Sequence, residues 1–592
     1  MENNMNTTWD LSPLYNSFGD EKFSSDMKEL DRLIENTVEF GKRAGEMPPR
    51  ELLLKFVENE TAISELSNKL YIYANLLYCA NTQDSEAASM MGVLMGKLSA
   101  TASASAAINK AIAKIANIEE IVASEPILKE HSYKISSIVK NSKYLLSDAE
   151  ETLFAEMDIS GANAWSDLQS ALTSSVTADY RGEKKTLSAV RNLAYDPDPA
   201  VRRDAYEAEL KAYPQIDTAT AFALNSIKLQ VINEASRRGY ESPLHKALEN
   251  SAMKRETLDA LIGAMNEYMP EFRRYLRAKA KALGHEGGLP WYDLFAPLGK
   301  SEEKFTTESA RDYLLDIFGR VDKDIHDLVK EAFDNSWIDF FPREGKVGGA
   351  FDCPIHNAGQ SRVLTNFDGA FSSIVTLAHE LGHSFHDRQV YKNAPLNREY
   401  SMPVAETAST FNEVLVMNTA IANAKDVDVK LALIENQLMD ATQVIVDIYS
   451  RYLFETAVFE NRPAEFLSPE RLSELMLDAQ KAAYGDGLDK NYLHKYMWLC
   501  KGHYYSGGLS FYNFPYAFGA LFARGLYAKY EREGAAFFDT YKEMLRATGT
   551  STVEDAALVA GIDLTDKNFW RTGLESMKAQ INEFCALVGY EG

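Results

Sequence analysis

The chain is poor in cysteine, in basic charge and in long apolar runs, and each shortage excludes a class of protein. Its four cysteines, at 79, 353, 500 and 585, are scattered over 592 residues with no C-x-x-C. That is neither a disulfide framework nor a cysteine-built metal site, and it suits a reducing compartment. Lysine and arginine number 62 against 86 aspartates and glutamates, a net charge of −24. Phosphate backbones need a basic footprint, so nucleic acid is not expected as a partner. Nowhere do about 18 uncharged apolar residues run together, so no membrane span is expected. The start, "MENNMNTTWD", has neither the basic nor the apolar region of a secretory leader. The expectation is a cytoplasmic protein that acts without a membrane, its oligomeric state left open.

Glycine and proline are sparse over residues 50–125 and 404–461. Those reaches carry apolar residues at helical spacing, as in Leu66, Leu70, Tyr73 and Leu77. A mainly α-helical protein follows. "YDPDPAVRRDAYEAEL" reads as a loop and a new helix starting near Asp198 or Pro199, and a boundary is placed there. It divides an N-terminal helical region, 1–195, from a second region, 196–592, which holds the histidine segment at 376–387 and is expected to be the catalytic domain on the strength of that segment. The exception to helix is 345–367, "GKVGGAFDCPIHNAGQSRVLTNF", where Val363, Leu364, Thr365 and Phe367 follow a turn-like "HNAGQ". This predicts a small β-hairpin leading into the next segment.

That segment is "TLAHELGHSFHD", residues 376–387, with three of the ten histidines. Asp368 or Ser372 is placed to cap its helix. On a helix, His379 and His383 lie one turn apart and project to the same side, so two nitrogens can share one metal ion. Glu380, one residue along, can serve as a general base. H-E-x-x-H is the zinc-hydrolase arrangement for these reasons. Chance supplies roughly 0.01 to 0.02 such matches in a chain of this composition. Gly382 is costly in a helix, by roughly 1 kcal/mol against alanine, and its missing side chain would admit a neighbouring segment.

A catalytic zinc takes three protein ligands and keeps an open position. The extension that places a third histidine six residues on fails, because that position is Gln389. A carboxylate on the following helix remains, from Glu399, Glu406 and Glu413 in "REYSMPVAETASTFNEVL". Ser401 and Pro403 mark a helix start, leaving Glu399 in the loop and Glu406 in the first turns. Glu406 is the choice for the ligand. Glu413, seven residues on and on the same face, suits the orientation of a ligand imidazole. His386 lies at i+3 from His383 and is assigned a hydrogen-bonding or purely structural role.

The chain resembles oligoendopeptidase F, within the thimet oligopeptidase family of zinc peptidases. The resemblance rests on "GKVGGAF", "LTNFDG", "TLAHELGHSFH" and "VAETAST", with "WDLSPLY", "RRGYES" and "WYDLFAPL" earlier in the chain. It implies a two-lobed helical fold with a deep substrate channel and one zinc per chain at its floor. His379, His383 and Glu406 would bind the zinc and Glu380 would be the base. The substrates implied are short unstructured peptides, since folded proteins cannot enter the channel. "GHYYSGGLSFYNFPYAFGAL" matches a segment whose histidine and tyrosines face the substrate. His503 matches the histidine, Tyr516 the tyrosine nearest the reacting carbonyl and Tyr512 the next, with Tyr505 weaker. An extended peptide could also pair with the edge of the "GGAFDCPI" strand.

Two other readings stand beside the endopeptidase. A zinc carboxypeptidase on a related channel fold would need a cationic clamp for a terminal carboxylate. A helical peptide-binding protein without activity would have no use for Glu380 between two histidines.

Overall fold

A computed structural model describes residues 6–300 and 304–591; of the ten residues read for a leader, 1–5 lie outside them. The protein is 72% helical, and the described residues carry only two small sheets, of two and three strands. The longest helices are Pro49–Ala80 over 32 residues, with no glycine and its one proline in the first turn, and Arg255–Ala282 over 28, which runs on through Gly263 and Pro270. The helix expected near residue 198 is Pro199–Ala212, with Asp198 accepting from the Ala200 N–H and proline in the first turn. No helix among the described residues is long and apolar enough to cross a membrane.

Buried apolar side chains gather in three clusters. Two small ones are built mainly from residues 9–135. The third runs from Ala162 to Cys585, so Val176, Tyr180, Leu187 and Val190 pack with the residues that follow 196. Within that stretch an additional hairpin, outside the one expected at 345–367, pairs β1 (Thr177–Tyr180) with β2 (Glu183–Thr186). Arg181 and Gly182, both at positive φ, make its turn.

The hairpin expected at 345–367 is present as β4 (Phe351–Ile355) and β5 (Gln360–Leu364), antiparallel, with Gly359 left-handed at the turn. Two details differ from expectation. A third strand, β3 (Ile338–Asp339), lies parallel to β5, giving the order β3–β5–β4. And β5 ends at Leu364, so Thr365 and Phe367 bond the Asp339 and Phe340 carbonyls just beyond it.

This sheet joins the N-terminal residues to the main core. Along β5 successive side chains face opposite ways, so Val363 enters the large cluster and Leu364 an N-terminal one. The buried Arg362 just before them donates to the Asp10 carbonyl at 2.7 Å, and Phe340 N–H donates to that of Thr7. β5 is the central strand, and β3 and β4 are the edges.

Candidate active site

The histidine segment is a helix, Phe371–Val390, followed by a one-turn helix Met402–Ala405 and a longer one, Thr407–Asn423. Neither expected cap is used. Ala370 occupies the capping position without a side-chain bond, and Asp368 instead accepts from the Ala370 N–H at 2.9 Å and the Ser373 hydroxyl at 2.7 Å. The helix start at Ser401 is correct, but the helix does not continue through Glu406. That residue is the joint between the two pieces, at φ −88° and ψ 9°.

Gly382 is what lets these elements meet. A Cβ there would stand 2.5 Å from Ser409 Cα and 2.6 Å from the Ala408 carbonyl oxygen. No real contact is that short, so the two helices cross with backbone against backbone at this point. From the other side the helix Phe514–Glu533 presses Gly519 against Glu406, where a Cβ would lie 2.9 Å from the glutamate's own. Glycine at these two positions sets how closely the histidines and the glutamate approach.

The result is a triangle of donor atoms. His379 Nε2 and His383 Nε2 are 3.2 Å apart, and Glu406 Oε2 lies 3.4 Å from each. Zinc bonds of roughly 2.0–2.1 Å in a tetrahedron put neighbouring ligand atoms about 3.3 Å apart, so the three side chains fit a zinc ion. A Glu380 carboxylate oxygen also falls within 4.8 Å of the imidazole nitrogens. Glu406 reaches them more closely and from a second element, which makes it the better third donor. On the far side of His379, Nδ1 bonds Glu413 Oε1 at 2.8 Å, an arrangement that fixes ring orientation and leaves Nε2 to face the triangle.

Charges follow from this crowding. Burial would lower the His379 pKa, but the Glu413 bond and the surrounding carboxylates raise it to about 9. Burial would raise Glu406, yet the two imidazoles hold it down at about 2. Glu380 is pushed above the ordinary glutamate value, because burial outweighs the pull of His379 and His383. A carboxylate in that position is a stronger base than a solvated one.

The remaining candidates separate cleanly. His386 points away from the triangle, fully buried, with Nε2 2.9 Å from Thr548 Oγ1 and its ring stacked on Tyr400. Burial drives its pKa down to about 3, so it is a neutral structural imidazole. Glu399 is exposed and faces Lys134. Tyr505 is buried with its hydroxyl on the Trp498 carbonyl.

His503, Tyr512 and Tyr516 form one aromatic cluster. The His503 ring is 5.0 Å from that of Tyr512 and 6.0 Å from that of Tyr516. Of the three, only Tyr516 lines the cavity of about 940 Å³ that also exposes His379, Glu380, Glu406 and Glu413. Pro515 sits in the first turn of Phe514–Glu533, which carries Tyr516 on a helix rather than a loop.

What fixes the preceding loop was not visible in the sequence. Asn513 caps this helix through the Phe514 N–H and donates at 2.9 Å to Glu455, itself 2.7 Å from the buried Lys228. Phe511 is held at φ 55° and stacks on Phe459, over whose ring Lys228 also lies. These partners stand 58 and 227 residues apart in the chain, and no local pattern announces them.

A family model described as "Peptidase family M3" matches residues 192–576, well over half of the chain. The chain belongs to peptidase family M3. A second model, "Oligopeptidase F", matches residues 114–177. Among the relatives it matches, oligopeptidase PepF of Bacillus subtilis (strain 168) is 27% identical, covering 98% of this chain and 87% of its own. Group B oligopeptidase PepB of Streptococcus agalactiae serotype III (strain NEM316) is 26% identical, covering 98% and 97%. Oligoendopeptidase-F from Enterococcus faecium superposes with a TM-score of 0.71 at 20% identity, over 96% of this chain and 99% of that one, and shares the helical fold. An M3 protein is a metallopeptidase, and this one has a donor triangle into which a metal fits.

Proposed function

We propose that this chain is a zinc-dependent endopeptidase of short, unstructured peptides, with His379, His383 and Glu406 as the metal donors. The observation that carries the reading is the donor triangle, with edges of 3.2, 3.4 and 3.4 Å, opening into the large cavity. Zinc held there supplies Lewis-acid polarisation of a carbonyl and acidification of water.

The protein's own groups do the rest. Glu413 keeps the His379 Nδ1–H engaged, so Nε2 stays available as a donor. The Glu380 carboxylate, made more basic by burial, takes the proton of the attacking water and returns it to the departing amine nitrogen. The Tyr516 hydroxyl, at the cavity wall, donates to the oxygen on which negative charge grows, with Tyr512 and His503 packed behind it. β4 has an outer edge to which an extended peptide can add as a strand, through backbone bonds that tolerate varied side chains. A cavity of this size admits a peptide segment and excludes a folded domain.

The test uses an internally quenched peptide of about ten residues, blocked at both ends, beside the same sequence placed inside a stable folded domain. Cleavage of the first and sparing of the second is expected. A peptide that is cut only when its C-terminus is free would turn the assignment to a carboxypeptidase, and digestion of the folded domain would remove the size filter.

A further inference from the structure

The helix that presents Tyr516 carries Ala520 and Arg524 one and two turns further on, and both line the same cavity. Arg524 is only 7% exposed, yet among the described residues its guanidinium has no hydrogen-bond partner and no ion pair within 4.0 Å. Other buried cations of this chain are paired. Lys228 has Glu455, Lys346 has Asp339 and Arg202 has Asp293, each at 2.7 Å. Arg362 spends its donors on the Asp10 and Ser361 carbonyls and on Gln360. Arg524 is the exception, and it stands in the wall of the catalytic cavity.

Burying a guanidinium without acceptors is costly, so a fold that keeps one in a cavity wall leaves five N–H donors for an acceptor that enters. Glu413 and Asp440 face Arg524 only at longer range, and Glu413 Oε1 is already committed to His379. Burial lowers Arg524 to about 10, so it stays charged at neutral pH. A planar fork of N–H groups matches a carboxylate in two-point fashion. Eight residues of helix separate Tyr516 from Arg524, about 12 Å of rise. An extended peptide advances roughly 3.3 Å per residue, so this distance corresponds to about three or four residues of substrate.

We infer that Arg524 is a subsite for a carboxylate of the peptide substrate, three or four residues from the bond that is cut. The carboxylate is that of an aspartate or glutamate side chain, or the peptide's own C-terminus. The inference rests on the reading above that the reacting carbonyl lies between the donor triangle and Tyr516.

The experiment measures kcat/KM on two series of quenched peptides. In the first, both ends are capped and one glutamate is moved a position at a time along a neutral sequence, each peptide paired with its glutamine counterpart. In the second, the neutral sequence ends at successive positions with a free or an amidated C-terminus. The wild-type protein should favour the acid over the amide by about tenfold or more at one position, three or four residues from the cleaved bond. The series in which this happens identifies the source of the carboxylate. In Arg524→Met that ratio should fall to about one, and in Arg524→Lys it should remain above one but reduced. Ratios near one throughout both series in the wild-type protein overturn the inference, even if neither variant folds. So does a preference that survives in Arg524→Met. Failure of the metal-loaded wild-type protein to cut the neutral capped peptide at all would instead strike the reading on which the inference rests.

Discussion

The donor triangle and Tyr516 of the aromatic cluster border the same cavity, but the two groups are built in opposite ways. His379 and His383 stand on one helix, and Glu406 is brought against them because Gly382 and Gly519 remove the side chains that would hold the elements apart. The donors therefore sit on rigid elements in backbone contact. His503 sits in a short 3-10 turn, Gly502–Tyr505, Tyr512 in the turn before the next helix, and Tyr516 just inside that helix. Tyr512 and Tyr516 flank Asn513, which is tied through Glu455 to Lys228 by hydrogen bonds between distant parts of the sequence. The first region is fixed by shape, the second by a buried polar network. Binding of metal and stabilisation of charge should accordingly be separable by mutation.

The largest separation is expected within the histidine helix. Glu380→Gln should lower kcat by about 10²–10⁴-fold while bound zinc, read by atomic absorption, stays at the wild-type level, because a base is lost and no donor is. His383→Ala should do the reverse and lose the metal itself. Equal zinc loss in both variants would make Glu380 a ligand and undo the division of labour.

Across the cavity, Tyr516→Phe should reduce kcat by about 10²-fold with KM and zinc little changed, the scale of one lost oxyanion donor. A normal rate there, with a large drop in Tyr512→Phe, transfers the role to Tyr512. Glu413→Gln weakens the bond that orients His379 and should reduce zinc affinity by about 10–100-fold, measured by competition with a chelator. Unchanged affinity would mean that the His379 ring is held by packing alone.

The smallest effect belongs to the support of the loop. Asn513→Ala removes a helix cap and one partner of Glu455, and should cost about 1 kcal/mol of stability by denaturant melting. Its kcat should fall less than that of Tyr516→Phe, with zinc intact. A loss of zinc in this variant would show that the two regions are not independent.

The same contrast explains what could be read from sequence. Helical period and the four-residue spacing of His379 and His383 are local, so the fold class and the motif were visible in the residues themselves. Gly382 gave a usable hint as well, since a glycine inside a helix asks for a close neighbour, and Ser409 is that neighbour. Glu406 was picked from three carboxylates by its place in a following helix, although the helix breaks at that residue. By contrast, the β1–β2 hairpin was missed because "TADYRGEKKT" is charged and only half-buried, which masks the alternation of a strand. Arg524 and the Lys228–Glu455–Asn513 network were missed because an isolated arginine or lysine on a helix reads as a surface charge. Only the packing of distant segments shows that these are buried.

The most direct test of the central claim joins metal content to chemistry. Purified protein is assayed for zinc per chain, stripped with a chelator and reloaded, and at each stage a mixed peptide pool is incubated with it and the fragments are identified by mass spectrometry. About one zinc per chain is expected, with internal cleavages that vanish on stripping and return on reloading. Undiminished cleavage by the stripped protein would contradict the account.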